Sequence, residues 1–381
     1  MNNISVFNKC ANCGACYNIC PRNAIYVKNG YPFFEVTVNE KECIDCGLCQ
    51  NVCPVNKIEI KQDVISAYAG YNNDREKVRK SSSGGAFISL AEFILAQGGI
   101  VFGAAYSEDC KRVLIKSTDE VSLEDLLRSK YVESCVDLSF KMVEKELKKA
   151  RAVLFCGAPC QVAGLKRFLR KDYDNLLTCD FSCGGMPSYV FYEEYLTDIE
   201  KKLAGKICEI NFRPKTYGWN NYAIRIKAEN GREYNNFAAS DPYFYCFVGN
   251  HSSVRDYCYE CNFANNHYAD IILADFWLIK KASNIKDDDS GVSLIITNSP
   301  KGEKIIQAVK NKLTLTLLDK DKATYNLAKK QVNSEFLINR KNFIDTCKEK
   351  GFIKASKKLK LNSKFKLKLK YRIKKFLGRV R

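Results

Sequence analysis

Two cysteine runs near the N-terminus constrain this chain more than any other feature of its sequence. They comprise Cys10, Cys13, Cys16 and Cys20, followed by Cys43, Cys46, Cys49 and Cys53. Each run reads C-x2-C-x2-C-x3-C-P, and each cysteine of the second run follows its counterpart by 33 residues. Three thiolates so closely spaced can bind one metal cluster from a single turn of loop. The first sixty residues are therefore expected to fold around metal.

The repeated pattern is typical of bacterial ferredoxins with two [4Fe–4S] clusters, in which the last cysteine of each run ligates the opposite cluster. We expect one cluster on Cys10, Cys13, Cys16 and Cys53, and the other on Cys43, Cys46, Cys49 and Cys20. Asn29-Gly30 between the runs, with apolar segments on both sides, predicts a hairpin over Ile25–Val27 and Phe33–Val38. A pair of structural zinc sites is the alternative, but zinc does not explain why both runs end in Cys-Pro.

The remaining composition narrows the chemistry further. The chain has 19 cysteines and only two histidines, His251 and His267. A multi-histidine metal site is excluded, and histidine-driven catalysis is disfavoured. The sequence shows neither an export signal nor an apolar run long enough to span a bilayer, so we expect a cytoplasmic protein with reduced thiols.

The positive charge is concentrated at the C-terminus. Of the formal net charge of +18, the segment Lys354–Arg381 supplies +13, from 13 Lys and Arg and no acid. Its large apolar residues, Leu361, Phe365, Leu369, Ile373, Phe376 and Val380, recur at helical spacing. This pattern predicts a basic amphipathic helix or tail that binds an anionic membrane surface, at the inner face of the membrane. A solvated tail, or a helix docked on a partner subunit, is the alternative. No nucleic-acid-binding module accompanies the basic stretch, so we expect no nucleic acid partner.

Strand–loop–helix units fill the segment from about residue 63 to 337. The loop Ser81–Gly85 precedes an apolar helical face and a predicted strand over Ile100–Ala105. It is either an anion site at a helix N-terminus or an ordinary serine N-cap. Val153–Phe155 and Leu176–Phe181 are predicted strands, and a cysteine (Cys160, Cys183) follows each one, at the edge where open α/β sheets bind ligands.

These stretches give the body a specific resemblance to the coenzyme F420 hydrogenase/dehydrogenase beta-subunit family. The matching segments are Ser82–Gly85, Ser129–Val132, Gly157–Gln161, Asp180–Gly184, Lys215–Trp219, Cys258 with Cys261, Asp275–Trp277 and Gly291–Leu294. They follow one another in order over most of residues 66–300. Members of this family carry flavin and clusters, and pass electrons between a hydride carrier and iron–sulfur centres.

The resemblance implies further cofactors. It implies a third [4Fe–4S] cluster on Cys160, Cys183, Cys258 and Cys261, with Cys156 as a competing ligand. It also implies FAD, which we assign by analogy to Ser82, Ser83, Gly84, Gly85, Lys130 and Tyr131. Lys130 is the candidate catalytic residue, as the cation facing a reduced flavin or a bound phosphate; a plain surface lysine is the alternative. The other cysteines, Cys110, Cys135, Cys179, Cys208, Cys246 and Cys347, are expected to be buried apolar residues.

The sequence thus predicts an α+β protein. A dicluster ferredoxin domain (1–62) precedes a larger α/β flavin- and cluster-binding domain (63–337), whose two parts meet near residue 175, and a basic amphipathic tail (338–381). We expect an oxidoreductase that moves electrons between its clusters and a flavin-bound hydride donor or acceptor, either coenzyme F420-like or another organic molecule, with a role in cell-envelope polysaccharide synthesis as one hypothesis. Its partners are then a small-molecule hydride donor or acceptor and a redox partner protein or external electron carrier. The alternative is an electron-transfer subunit of a larger redox complex, without a substrate of its own.

Overall fold

The structure is a computed structural model that describes residues 3–6, 9–56, 64–277, 285, 288–325 and 334–359. These residues form an α+β protein built on one large mixed sheet. Among them, no helix combines the length and the apolar character that crossing a bilayer requires. The predicted lipid-binding stripe begins at Leu361 and lies outside the described residues.

The strands and helices alternate along most of the described chain. The strands are β1 (Ile25–Lys28), β2 (Glu35–Val38), β3 (Ser66–Asn72), β4 (Ile100–Tyr106), β5 (Val113–Ser117), β6 (Ser134–Cys135), β7 (Val153–Cys156), β8 (Leu176–Phe181), β9 (Ile207–Asn211), β10 (Ala223–Ala228), β11 (Glu233–Phe237), β12 (Ile271–Asp275), β13 (Ser293–Thr297) and β14 (Leu313–Leu317). The α-helices are α1 (Ala15–Ile19), α2 (Leu48–Asn51), α3 (Arg75–Lys80), α4 (Ala86–Leu95), α5 (Leu123–Leu126), α6 (Ser139–Lys148), α7 (Pro159–Leu169), α8 (Tyr189–Leu203), α9 (Pro242–Phe244), α10 (Pro300–Val309), α11 (Lys320–Tyr325), α12 (Ser334–Lys350) and α13 (Phe352–Ser356). The predicted strands at β4, β7 and β8 and the predicted helix at α4 are confirmed.

In the described part of the chain, the large sheet has the order β14-β3-β13-β12-β8-β7-β4-β5-β6. Its centre is parallel, because β4, β7, β8 and β12 pair with one another in that sense. β8 is buried at every position except Phe181, as expected for a central strand covered on both faces. The carboxyl ends of β7 and β8 therefore meet at one edge, where the cysteine-bearing loops leave the sheet.

Two helical layers cover the sheet. One face packs Leu154 of β7 and Leu177 of β8 against Leu90 of α4 and Ile306 of α10. The opposite face packs Phe155 against Phe140 of α6 and Leu165 of α7, together with α1 of the N-terminal segment. Alternate residues of each strand thus supply the two apolar layers that enclose the sheet.

The N-terminal segment contains the predicted hairpin, with β1 paired antiparallel to β2 and Ile25 opposite Val38. The second strand begins at Glu35, two residues later than predicted. Phe33 and Phe34 are buried instead, and the ring of Phe34 stacks on Tyr189 of α8 with 4.0 Å between ring centroids. Packing against the body takes these two residues out of the ladder.

Helices α12 and α13 show that the folded body continues beyond residue 337. The ring of Phe352 is fully buried and stacks on Phe191 of α8 at 5.3 Å. The Glu194 carboxylate accepts a hydrogen bond from the Phe352 N–H at 2.6 Å. Residues 338–359 of the predicted tail are therefore partly built into the body, because their apolar side chains complete the core around α8.

Candidate functional site

The first thiol set consists of Cys10, Cys13, Cys16 and Cys53. These four residues line one cavity of about 60 Å³ between the loop before α1 and the end of α2. Gly14 caps α1 with φ +89°, and a Cβ there would come within 2.8 Å of Val136. Only glycine satisfies both conditions, so the loop that carries Cys13 can lie directly against the body.

The second thiol set consists of Cys20, Cys43, Cys46 and Cys49. They line a smaller cavity of about 20 Å³ beside α2. Gly47, with φ +73°, caps α2 and lets the chain turn between the last two cysteines. Each cavity thus combines three cysteines of one run with the fourth cysteine of the other, which is the exchange that the spacing predicts.

Backbone amides point at several of these sulfurs. The Asn12 N–H donates to Cys10 Sγ at 3.3 Å, and the Ala24 N–H donates to Cys20 Sγ at 3.3 Å. Burial raises the pKa of the Cys13 and Cys16 thiols, and the fields of neighbouring cysteines raise it further. Such thiols ionise when a bound cation compensates their charge. Among the described residues, no three Cys, His, Asp or Glu side chains are arranged to hold a single metal ion.

The third thiol set consists of Cys160, Cys183, Cys258 and Cys261. Cys160 lies in the first turn of α7, Cys183 follows β8, and the other two lie in and just after the 3₁₀ helix Asp256–Glu260. Burial raises the pKa of Cys160, and the fields of the other three cysteines of the set add to it. The N–H groups of Gly185 and Met186 donate to Cys183 Sγ and Cys258 Sγ, both at 3.4 Å.

Cys156, the competing candidate, lies elsewhere. It is the last residue of β7, directly opposite Cys179 of β8, and the two side chains hydrogen-bond each other. The structure thus brings the four expected cysteines of the third set together and gives Cys156 a different partner.

The first and third thiol sets are neighbours. Cys160 Sγ lies 3.8 Å from the carbonyl oxygen of Ala11, between two cysteines of the first set. A Cβ placed on Gly164, one turn further along α7, would lie 3.1 Å from Cys13 Sγ. The N-terminal segment and the body therefore meet where these two sets face each other.

A buried ion pair fixes this contact. The Glu133 carboxylate accepts from Arg255 Nε at 2.9 Å and from Asn12 Nδ2 at 2.9 Å. Arg255 also donates to the Phe34 carbonyl oxygen at 2.7 Å. Burial raises the pKa of Glu133, and the adjacent Arg255 guanidinium opposes that rise. One carboxylate in the body thus holds both the Cys10–Cys13 loop and the residues before β2.

The large cavity, of about 450 Å³, opens at the carboxyl edge of the sheet. Its lining includes five of the six residues assigned to FAD, which are Ser82, Ser83, Gly85, Lys130 and Tyr131. The sixth, Gly84, lies beneath them, where its N–H donates to Ser293 Oγ at 3.0 Å. A Cβ on Gly84 would meet the Gly70 carbonyl oxygen at 2.5 Å, so this position requires glycine. Cys183 of the third thiol set also lines the cavity.

The serine loop does not cap α4 as an ordinary serine N-cap would. The N-cap residue is Gly85, with φ +86° and no side-chain hydrogen bond. Ser82 Oγ instead accepts from the Ser129 N–H at 2.8 Å, and Ser83 Oγ donates to the Val292 carbonyl oxygen at 2.9 Å. The positive end of α4 is therefore directed at the cavity without a side-chain cap.

Lys130 lies in the cavity wall. Its ammonium donates to the Leu127 carbonyl oxygen at 2.6 Å. Burial, with help from the nearby Arg128 guanidinium, lowers the pKa of Lys130 to about 7. Lys130 is therefore a half-buried cation that changes charge near neutral pH.

The sequence did not predict a polar and aromatic group of residues at the large cavity, to which Tyr222, Asp275 and Trp277 contribute lining side chains. Arg213, buried at the end of β9, pairs with Asp275 at 2.7 Å and lies over the ring of Tyr222 at 4.0 Å. The ring of Trp277 stacks on Trp219 at 4.2 Å and remains 42% exposed on the cavity side. Trp219 and Trp277 belong to motifs noted in the sequence. Arg213 lies just before the first of these motifs and had no signal of its own.

One of the two histidines takes part in a buried pair near the same edge. His267 Nδ1 lies 2.8 Å from an oxygen of Asp180, which lines the cavity. Burial raises the pKa of Asp180, and His267 opposes that rise. No pattern in the sequence joins these two residues.

The expectation for the remaining cysteines needs one correction. Cys110, Cys179, Cys246 and Cys347 are buried, and Cys135 is partly buried. Cys208 is exposed, contrary to the expectation. It lies on β9, an edge strand of the three-stranded sheet β11-β10-β9, at a position that faces away from the apolar core.

Two family models match the chain. The model of the C-terminal region of the coenzyme F420 hydrogenase/dehydrogenase beta subunit matches residues 150–323, and the model "4Fe-4S dicluster domain" matches residues 9–57. The chain is thus similar to the coenzyme F420 hydrogenase/dehydrogenase beta subunit over residues 150–323 and to a dicluster domain over residues 9–57. The first match covers the third thiol set and the Cys156–Cys179 pair, and the dicluster match covers the first and second sets. Together the two matches indicate an iron–sulfur oxidoreductase whose electron transfer is related to that of the F420 hydrogenase beta subunit.

The other comparisons add little to this identification. No curated protein matches this chain significantly. A solved structure, described as a xenon derivatization of the F420-reducing [NiFe] hydrogenase complex from Methanosarcina barkeri, is 15% identical. The alignment covers 77% of this chain and 96% of that chain, with a TM-score of 0.46.

Proposed function

We propose that this protein is an iron–sulfur flavoprotein oxidoreductase with three [4Fe–4S] clusters and one FAD. The observation that carries the proposal is the position of Cys183, which belongs to the third thiol set and also lines the large cavity. Clusters accept one electron at a time and hydride carriers deliver two, so a flavin in this cavity would supply the conversion between them.

The residues present fit both kinds of cofactor. Each thiol set has four cysteines, and backbone N–H groups donate hydrogen bonds to sulfurs of each set. Both features are typical of iron–sulfur cluster sites. The large cavity is of the size that binds an organic cofactor. The uncapped positive end of α4, Lys130 and the Ser82–Gly85 loop would hold an anionic part of the flavin. The aromatic side chains of Tyr131, Tyr222 and Trp277 offer apolar surface for its rings.

The order of the thiol sets supports a relay between the cavity and the protein surface. The cavity adjoins the third set through Cys183, the third set adjoins the first through Ala11 and Gly164, and Cys16 of the first set feels the field of Cys49 of the second. In this relay, the protein holds the thiol sets next to one another and excludes water from them. The Glu133–Arg255 pair and the buried face of α7 have this structural function.

The partners follow from this arrangement. The substrate that we propose is a small-molecule hydride donor or acceptor, either F420-like or another organic carrier, and the second set would serve a redox partner protein. A role in cell-envelope polysaccharide synthesis, a cytoplasmic location and membrane binding by the tail stay sequence-based hypotheses. The division into domains at residues 1–62, 63–337 and 338–381 is likewise a proposal, in which the first part of the last segment packs on the body through Phe352.

Anaerobic reconstitution with iron, sulfide and FAD tests the proposal. The loaded protein is mixed with a panel of hydride donors, and absorbance follows the flavin and the clusters separately. We expect at least one donor to reduce both without another protein. In the Cys160→Ser variant the donor should still reduce the flavin but no longer the clusters of the N-terminal domain, whereas Cys246→Ser, a buried cysteine outside the thiol sets, should behave as the wild type. Reduction only in the presence of a partner protein would favour the electron-transfer subunit, and failure to bind flavin would overturn the proposal.

A further inference from the structure

Cys156 and Cys179 have the geometry of a disulfide pair. They are directly opposed on the parallel strands β7 and β8, which places their Cα atoms about 4.8 Å apart. This spacing lies within the range of about 4.4–6.8 Å that disulfides bridge. Their side chains point to the same face of the sheet and hydrogen-bond each other. The pair can therefore be oxidised without moving the backbone of two central strands.

The pair lies at the large cavity and outside the thiol sets. Cys156 lines the cavity, whereas Cys179 is fully buried, two residues after Leu177 on the same face of β8. The thiol fields that act most strongly on Cys160 come from members of the thiol sets and not from this pair. The cluster assignment thus leaves both thiols without a role, next to the space where a two-electron carrier would bind.

The surroundings favour one of the two sulfurs as the reactive one. Cys156 is the accessible member, and it interacts electrostatically with the ammonium of Lys130 in the same cavity wall. The hydrogen bond from Cys156, together with burial, raises the pKa of Cys179. Cys156 is therefore suited to attack, and Cys179 to close the disulfide from below.

We infer that Cys156 and Cys179 form a redox-active dithiol that exchanges two electrons with a flavin-class carrier in the large cavity. In the oxidative direction, two S–H bonds break and one S–S bond forms. The two electrons and two protons pass to the oxidised carrier, which is reduced by the same two equivalents. The inference rests on the proposed function for the identity of the carrier. The dithiol itself can be tested without flavin.

The first test uses anaerobically purified protein with its clusters and a low-molecular-weight disulfide, hydroxyethyl disulfide, as oxidant. Cys156 attacks the reagent, Cys179 displaces the mixed disulfide, and two molecules of small thiol are released. The protein is then alkylated under denaturing conditions and its peptides are mapped. We expect a Cys156–Cys179 cross-link, with loss of both alkylation sites and unchanged iron content. Two outcomes would contradict the inference that Cys156 and Cys179 form a disulfide. One is alkylation of both cysteines as in untreated protein, and the other is a lasting mixed disulfide on Cys156 alone.

A second test counts electrons in FAD-loaded protein that has been oxidised in the same way. Reductive titration of the wild type should consume two more electrons per chain than titration of Cys156→Ser. The matched control, Cys110→Ser, removes a buried thiol that does not line the cavity and should consume as many electrons as the wild type. Equal consumption by wild type and Cys156→Ser would contradict the inference. A cross-link in protein that binds no flavin would leave the dithiol standing and refute the proposed function instead.

Discussion

Gly164 of α7 lies against Cys13, so closely that a Cβ on Gly164 would come within 3.1 Å of the Cys13 carbonyl oxygen, Cβ and Sγ. This contact joins the helix that begins with Cys160 to the loop that carries the first thiol set. A side chain at residue 164 would require Cys13 to move by a few tenths of an ångström. Gly164 therefore contributes to the close approach of the first and third sets.

Replacing this glycine should separate the two sets. In Gly164→Ala, the added methyl group meets backbone as well as side chain, and overpacking of this kind costs about 1–3 kcal/mol. We expect a lower melting temperature and a weaker magnetic interaction between clusters in the EPR spectrum of the reduced protein. Gly103→Ala is the control, since its Cβ would lie 3.5 Å from the Leu126 side chain, an ordinary contact. An EPR spectrum of Gly164→Ala identical to that of the wild type would contradict this account.

Loss of the buried carboxylate between the N-terminal segment and the body should destabilise the protein strongly. Glu133→Gln leaves the Arg255 guanidinium buried without its counter-charge, a loss that typically costs about 3–5 kcal/mol. The measurement is urea unfolding of the anaerobic protein. Glu76→Gln, which removes an exposed ion pair with Arg79, should cost less than about 1 kcal/mol. Equal midpoints for the two variants would show that the Glu133 pair does not fix the contact.

Flavin affinity should depend on pH through Lys130. Because the pKa of Lys130 is lowered to about 7, its ammonium is largely present at pH 6 and largely lost at pH 8. Binding of the FAD diphosphate, followed by quenching of flavin fluorescence, should weaken over this interval. A charge-assisted hydrogen bond contributes about 1.5 kcal/mol or more, which is roughly tenfold in Kd.

Two variants separate this effect from other titrations. Lys130→Met should bind weakly at both pH values, and Lys130→Arg should bind tightly at both, since guanidinium stays charged. The same lysine affects folding in the opposite sense. The unfolded chain binds more protons than the folded one between pH 7 and the ordinary lysine pKa of 10.5, so its contribution to stability rises with pH in that interval. An unchanged pH profile in Lys130→Met would assign the dependence to another group.

Membrane binding by the tail should survive only while residues 360–381 are present. A deletion that starts at residue 360 spares Phe352 and Ala355, which are buried in the body. We expect the truncated protein to lose binding to vesicles that contain anionic lipid and to keep its melting temperature and absorbance spectrum. High salt should also release the full-length protein from the vesicles, because it screens the attraction between the basic tail and the anionic lipid. Binding that persists after truncation would locate the lipid contact elsewhere.

The N-terminal thiol sets could be predicted from spacing alone, because their ligands come from two short loops that repeat each other. The third set could not. Its cysteines lie at positions 160, 183, 258 and 261, and only the pairing of β7 with β8 and the return of the chain near residue 255 bring them together. The four cysteines of the third set were grouped by the resemblance to a known family, because their local spacing does not indicate that they belong together.

The residues that support the site are even harder to predict from the sequence. Glu133 and Arg255 are 122 positions apart in the chain. No motif in the sequence joins two residues at that separation. Asp180 and His267 are likewise distant in the chain and adjacent in space. Their pairing depends on tertiary packing, which apolar periodicity does not encode. The disulfide geometry of Cys156 and Cys179 required the strand register, so it too could be read only from the structure.

The central claim is that twelve cysteines, in three sets of four, bind three iron–sulfur cubes. Iron, acid-labile sulfide and zinc measured together on anaerobically purified protein test it most directly. We expect about twelve iron and twelve sulfide per chain, falling to about eight of each in Cys160→Ser with the N-terminal clusters retained. Stoichiometric zinc without labile sulfide would contradict the claim.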